Sequence, residues 1–134
     1  MAFLQNDIVI DCAPAVVWDA VRDVAALHTR LVPGLVSDTR IDGDARIVRF
    51  ASGVTVRERI IDVDETARRL VWSIVGAPFD YHQGVLQVFE AEGGRSRVVW
   101  TTDLLPASLL EAVRPNMDRG MTIMKHTLED SSKY

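Results

Sequence analysis

The sequence predicts an α+β architecture: an antiparallel sheet of about seven strands wrapped around a long C-terminal helix, with two short helices after the first strand. Two observations carry this expectation. Leu110, Val113, Met117, Met121, Met124 and Leu128 follow one another at steps of three or four, which draws one apolar stripe down a helix over residues 106–129. Between Leu35 and Leu105, by contrast, the chain reads as strands and tight turns. A sheet that wraps a single late helix can leave a cavity between the two.

Taken in order, Ile8-Val9-Ile10 reads as a strand between Asp7 and Asp11. Ala13-Pro14 then opens a helix, because proline suits the first helical position, where its missing N–H costs nothing. Val17, Val21 and Val24, with Trp18 beside them, give this helix a buried face. A second helical piece, Ala25 to Val32, stops at Pro33-Gly34. Candidate strands follow at Val36–Asp42, Ala45–Ala51, Val54–Val63, Arg69–Val75, Tyr81–Ala91 and Arg97–Leu104. Their joints, such as Asp42-Gly43-Asp44, Ser52-Gly53 and Glu92-Gly93-Gly94, carry turn chemistry, and loops this short make neighbouring strands antiparallel. In the last helix, Pro115 is expected to kink it or split off its first turns, and Gly120 to let the sheet or a ligand approach closely.

The totals narrow the function classes. With 134 residues, 48% hydrophobic and 25% charged, the expectation is one globular domain over residues 1–134 with a proper core. A net charge of -4, without any basic run, argues against nucleic acid or an anionic membrane as partner. Cys12 is the sole cysteine, so no intrachain disulfide is possible. The N-terminus lacks a secretory pattern, and no apolar run approaches the roughly 20 residues of a membrane span, so a cytoplasmic location without integral membrane contact is expected. A homodimer is compatible with this composition.

Strand alternation assigns faces. If Ser52-Gly53 is a two-residue loop, Ala45, Ile47, Arg49, Ala51, Val54, Val56, Glu58 and Ile60 share the inner face. Arg46, Val48, Phe50, Thr55 and Arg57 then share the outer one. Arg49 and Glu58 would be diagonal neighbours inside. Leu70, Trp72 and Ile74 are expected inward on the next strand, and Val98, Trp100, Thr102 and Leu104 on the last. A three-residue Glu92-Gly93-Gly94 loop would set Leu86 opposite Trp100 and turn Gly84, Leu86, Val88 and His82 inward; a two-residue Gly-Gly loop would invert that strand.

Several local patterns, in this order, carry a family resemblance: Ala13-Pro14 followed by Val17-Trp18, Pro33-Gly34, and Arg49 followed by Val56-Arg57-Glu58-Arg59. Then come Arg68-Arg69-Leu70-Val71-Trp72, Gly84-Val85-Leu86, Val98-Val99-Trp100 and Gly120-Met121. The chain resembles the helix-grip superfamily of polyketide cyclase/dehydrase-like, StAR-related lipid-transfer and birch-pollen-allergen-like proteins. That resemblance covers nearly the whole chain. It implies a sheet gripping the C-terminal helix, with a cavity that takes a hydrophobic or aromatic small molecule; some members act on it as cyclases or aromatases. It supplies no invariant catalytic set to carry over.

The residues themselves nominate the site. Arg49 and Glu58 read either as a polar anchor or acid/base pair in a pocket, or as a structural ion pair at the sheet rim. His82 reads as a general base, with Asp80 on its side, or as a hydrogen-bonded histidine near a strand end. Trp72, Leu86 and Trp100 are expected as pocket walls or plain core, as are Met117, Met121 and Met124. His28 and His126 read as surface residues. The histidines lack metal-ligand spacing, and there is no nucleotide-binding loop or G-x-S-x-G context, so no metal or other cofactor is expected.

The first functional reading is therefore binding of a small lipid-like or polyketide-like molecule. The second is a cyclase, aromatase or dehydratase acting without metal or nucleotide. In it Glu58 or His82 would be the acid/base group and Arg49 would steady an oxyanion. A third is a protein–protein module using the outer sheet face, where Val48 and Phe50 would sit among arginines.

Overall fold

The strands alternate apolar and polar side chains, and their short turns leave only antiparallel pairing, so one continuous sheet results. A computed structural model describes residues 1–131. The strands are β1 (Ala2–Ile10), β2 (Val36–Asp42), β3 (Ala45–Phe50), β4 (Thr55–Asp64), β5 (Arg69–Val75), β6 (Tyr81–Glu90) and β7 (Ser96–Leu105). They lie in the order β1-β7-β6-β5-β4-β3-β2, every pair antiparallel. Only β1 leaves sequence order, crossing from the start of the chain to pair with β7. The expected α+β class and helix-grip arrangement are what the structure has.

Helix α1 (Pro14–Arg22) starts at the proline and buries Val17, Trp18, Ala20 and Val21. Its outer side is tied to the β4–β5 turn: the Trp18 indole N–H and the Arg22 guanidinium both donate to the Glu65 carboxylate at 2.8 Å. The second helical piece is irregular. A 3₁₀ turn at Val24–Ala26 passes into a wide π-type turn at Leu27–Leu31, closed by the Val32 N–H on the Leu27 carbonyl at 2.9 Å. This places Leu31, Val32 and Leu35 in the core.

The long helix α2 (Leu110–Ser131) follows a 3₁₀ turn at Ala107–Leu109. Pro115 does not split it; the helix runs on through this residue in its second turn. Only the bond to the Glu111 carbonyl is forfeited there, and Glu111 is exposed to water that can replace it. The apolar stripe is buried from Met117 through Met121 and Met124 to Leu128.

Two of the expected hairpin registers met opposite outcomes. At β6–β7 the three-residue Glu92-Gly93-Gly94 loop does form, and Leu86 lies opposite Trp100. His82, Gly84, Leu86 and Val88 are accordingly buried. At β3–β4 the expected two-residue loop does not form. The Phe50 N–H donates to the Val54 carbonyl at 2.8 Å and the Gly53 N–H to the Phe50 carbonyl at 2.9 Å, leaving Ala51-Ser52-Gly53 as the loop. Gly53 closes it at φ +94°, a backbone setting suited to glycine in a type I turn with a bulge. Val48 therefore faces Val56 and Arg46 faces Glu58.

One residue of slip turns every side chain of a strand over. The inner face of β3 is thus Arg46, Val48 and Phe50, and Arg49 is exposed. The β4 assignment, with Val56, Glu58 and Ile60 inside, is unaffected. An outer-face interaction module built on Val48 and Phe50 falls with this correction, because Val48 is fully buried and Phe50 packs against the core.

Two glycines seat the two inner indoles. A Cβ on Gly84 would come within 2.5 Å of Trp72 Cζ2, and one on Gly120 would meet Trp100 Cζ3 at 2.9 Å. Gly120 thus admits the sheet, through Trp100, to the face of α2. The Trp72 and Trp100 rings are 6.0 Å apart and tilted by 55°. Gly84→Ala is expected to lower stability by about 1–3 kcal/mol through overpacking, read as a lower urea midpoint together with altered tryptophan emission. An unchanged midpoint and spectrum would show that the Trp72 seat has spare room.

Candidate functional site

The helix stripe divides into two parts with different partners. Beyond Gly120 it packs on the core that includes Val17, Val21 and Val98, with Met124 also reaching the cavity. Before it, Leu109, Ala112, Val113, Asn116 and Met117 face a cavity of about 340 Å³ between α2, the irregular helical segment and the inner face of the sheet. Most of its walls are apolar. Of the candidates named from sequence, Glu58, Trp72, His82 and Leu86 line it, as do Trp100, Met117 and Met124. Arg49 does not, because the β3 register turns it outward. Met121 does not either; it is buried in the core.

Arg46 takes the place expected of Arg49. Its Nε donates to Glu58 Oε1 at 2.8 Å, with the two side chains only 4% and 8% exposed. The guanidinium also donates to the Val24 carbonyl at 3.3 Å and lies 5.9 Å from the centroid of the Trp72 ring. These contacts hold the cation when it is withdrawn from water. Both members of the pair line the cavity. The second carboxylate oxygen of Glu58 has no hydrogen-bond partner among the described residues. A basic residue at alternating spacing on β3 was the available signal for Arg46, but it carried the opposite sense once the loop was taken one residue short.

His82 sits on β6, two strands from Glu58. The β5–β6 ladder runs as far as Trp72 opposite Gly84 and then opens. There the Ile74 N–H donates to His82 Nδ1 at 3.0 Å, and the Ser73 hydroxyl donates to the His82 carbonyl at 2.5 Å. The imidazole meets the Phe79 ring edge-on at 5.0 Å. Burial pushes its pKa down from 6.5 to about 4. Asp80, expected to share its side, is exposed.

Further polar atoms are few. The Thr102 hydroxyl bonds weakly to Met117 Sδ at 3.4 Å. The Trp100 indole N–H is buried without a partner among the described residues. Of the other histidines, His28 is half-buried with Nδ1 3.0 Å from the Thr39 hydroxyl, whereas His126 is exposed. Among the described residues no three His, Cys, Asp or Glu side chains are grouped to hold a metal ion. No helix among them is long and apolar enough to cross a membrane.

Comparison with known proteins fits this geometry. The family model for polyketide cyclase/dehydrase and lipid transport matches residues 1–129. The chain belongs to that family. Among solved structures it is similar to the XoxI protein of Bacillus cereus, at 20% identity and a TM-score of 0.87 over 98% of this chain and 99% of that one. A Thermobifida fusca protein is 30% identical, with a TM-score of 0.75 over 96% and 91% of the two chains. The di-domain aromatase/cyclase BexL of the BE-7585A biosynthetic pathway is 17% identical, with a TM-score of 0.82 over 96% of this chain and 47% of BexL. No curated protein matches the sequence significantly.

Two outcomes follow for the polar groups of this family member. Replacing Arg46 with Met strands a buried carboxylate and is expected to cost about 3–5 kcal/mol in urea unfolding. The double change of Arg46 and Glu58 to Met should restore most of that loss; a double variant as unstable as the single one would contradict the pairing. His82 sets a pH dependence. Its folded pKa lies below its ordinary value, so the unfolded chain binds the extra proton first. The His82 contribution is complete above pH 6.5, declines as pH falls, and levels off below about 4. Relative to a His82→Phe variant, the wild type should lose stability in that window.

Proposed function

We propose that the protein binds a small hydrophobic molecule, lipid-like or polyketide-like, in the cavity beneath α2. The observation that carries this reading is a cavity of about 340 Å³ whose apolar and aromatic walls hold a few fixed polar groups, the usual composition of a small-molecule site. Affinity would come from burying the apolar body of the ligand, and orientation from Arg46, Glu58 and His82. The cytoplasm is the proposed location.

The unbonded oxygen of Glu58 beside the Arg46 guanidinium favours a second reading, chemistry of the cyclase/dehydratase type. Glu58 would remove a proton next to a carbonyl, and Arg46 would stabilise the resulting oxyanion. His82 is a poor base in this setting, since the Ile74 N–H already occupies Nδ1.

Native mass spectrometry beside a denaturing run tests the first reading. A co-purifying apolar molecule is expected, and Val113→Trp, which fills the cavity from α2, should abolish its retention while the protein stays folded. Ligand retained at full occupancy in Val113→Trp would place binding elsewhere. Should turnover of a bound polyketide-like compound be observed, Glu58→Gln is expected to abolish it and leave binding largely intact.

A further inference from the structure

The cavity wall presents an acceptor and a donor in one row across three strands. Glu58 on β4 is paired with Ile74 on β5, and two residues beyond the Trp72–Gly84 pair Ile74 comes level with His82 on β6. All three line the cavity. Neighbouring strands are about 4.8 Å apart, so the backbones of Glu58 and His82 stand roughly 10 Å from one another.

Their hydrogen-bonding senses are opposite. The Ile74 N–H points at His82 Nδ1, so that nitrogen carries no proton. The neutral ring must then bear its proton on Nε2, which makes Nε2 a donor and nothing else. Among the described residues no group accepts from Nε2, and it is not among the sealed polar atoms, so it opens to the cavity. Protonating the ring would set an Nδ1–H against the Ile74 N–H, which holds the tautomer in place. Glu58 offers the reverse: Arg46 occupies Oε1, and Oε2 accepts. Phe79 meets the imidazole at its edge, and Leu104 lies opposite His82 on β7.

We propose that His82 is a specificity-determining donor of fixed tautomer and that, with the Glu58 acceptor across β5, it selects rigid ligands carrying a carbonyl at one end and a hydroxyl at the other. This rests on the ligand-binding reading above and narrows it to hydroxy-carbonyl compounds long enough to reach from one side chain to the other across β5. The carbonyl accepts from His82 Nε2–H. The hydroxyl donates to Glu58, and the Trp72 indole lies on the wall beside them.

The test is calorimetric titration with four naphthalenes: an acetylnaphthol with its groups on opposite rings, the matching ethylnaphthol, acetylnaphthalene and ethylnaphthalene. The acetylnaphthol is expected to bind best, with a loss of about tenfold on removing either the carbonyl oxygen or the hydroxyl. In His82→Phe the acetylnaphthol and ethylnaphthol should bind alike, while ethylnaphthalene is held as in the wild type. Four equal affinities would overturn the inference and leave apolar binding standing. Binding by none of the four would overturn both.

Long-range proton–nitrogen NMR on the wild type removes dependence on the variant. The expected result is the Nε2–H tautomer of His82 at neutral pH, with its resonance shifted on adding the acetylnaphthol. An Nδ1–H tautomer, or an Nε2 signal unmoved at saturation, would sink the proposal.

Discussion

Two indoles stand between the sheet and the long helix, and much of the molecule depends on where they can stand. Trp100 rises from β7 against Gly120 of α2, and Trp72 from β5 over Gly84 of β6. Each occupies volume that a single methyl group would contest. Their bulk props the helix at this point while Met121, Met124 and Leu128 close the core beyond it. On the other side, where α2 presents Ala112 and Val113, the space stays open. The cavity is the space left over when two large rings are seated at one end of a curved sheet. An apolar interior that is not filled loses dispersion contacts along its lining, which is why such a space suits an apolar guest.

The polar groups of the cavity are each held by a different constraint. Arg46 and Glu58 satisfy one another and spend their remaining valences on the Val24 carbonyl and the cavity. Desolvation keeps such a pair from being a reliable source of stability. His82 instead borrows a backbone N–H from a ladder that has come apart. The cost of opening the β5–β6 ladder is offset locally, because Ile74 N–H and the His82 carbonyl both find side-chain partners. Family membership and fold agree with both a binding and a catalytic use of this arrangement; the donor and acceptor senses of its atoms come from this chain alone.

Helix α2 was legible because its stripe repeats over several turns, and one ambiguous residue does not erase such a signal. The strands of the second half were legible for the same reason: Leu70-Trp72-Ile74 and Val98-Trp100-Thr102 alternate cleanly, and both face inward. The β3–β4 hairpin was not. Ala45, Ile47 and Ala51 made their face look the more apolar, whereas a loop of two residues or three decides between the two faces. Arg46 was missed and Arg49 chosen on that single residue. Met121 was misplaced for a milder reason. A stripe says which side of a helix is buried, but not whether it meets a packed core or a void.

What the sequence determined by itself, then, was the class of fold, the order of its elements, the alternation within most strands and the presence of Glu58 on the inner side; the face of His82 waited on the length of the Glu92-Gly93-Gly94 loop. These rest on local periods and turn residues, which act between neighbours in the chain. Tertiary structure alone decided which arginine joins Glu58, where the helix leaves the sheet, and which backbone amide meets His82. Each of those depends on groups far apart in sequence meeting in space: a loop closing on Gly53, an indole reaching Gly120, the Ile74 amide finding an imidazole on the next strand. Periodicity encodes which way a side chain points, whereas its partner is fixed only when the strands and helix come together.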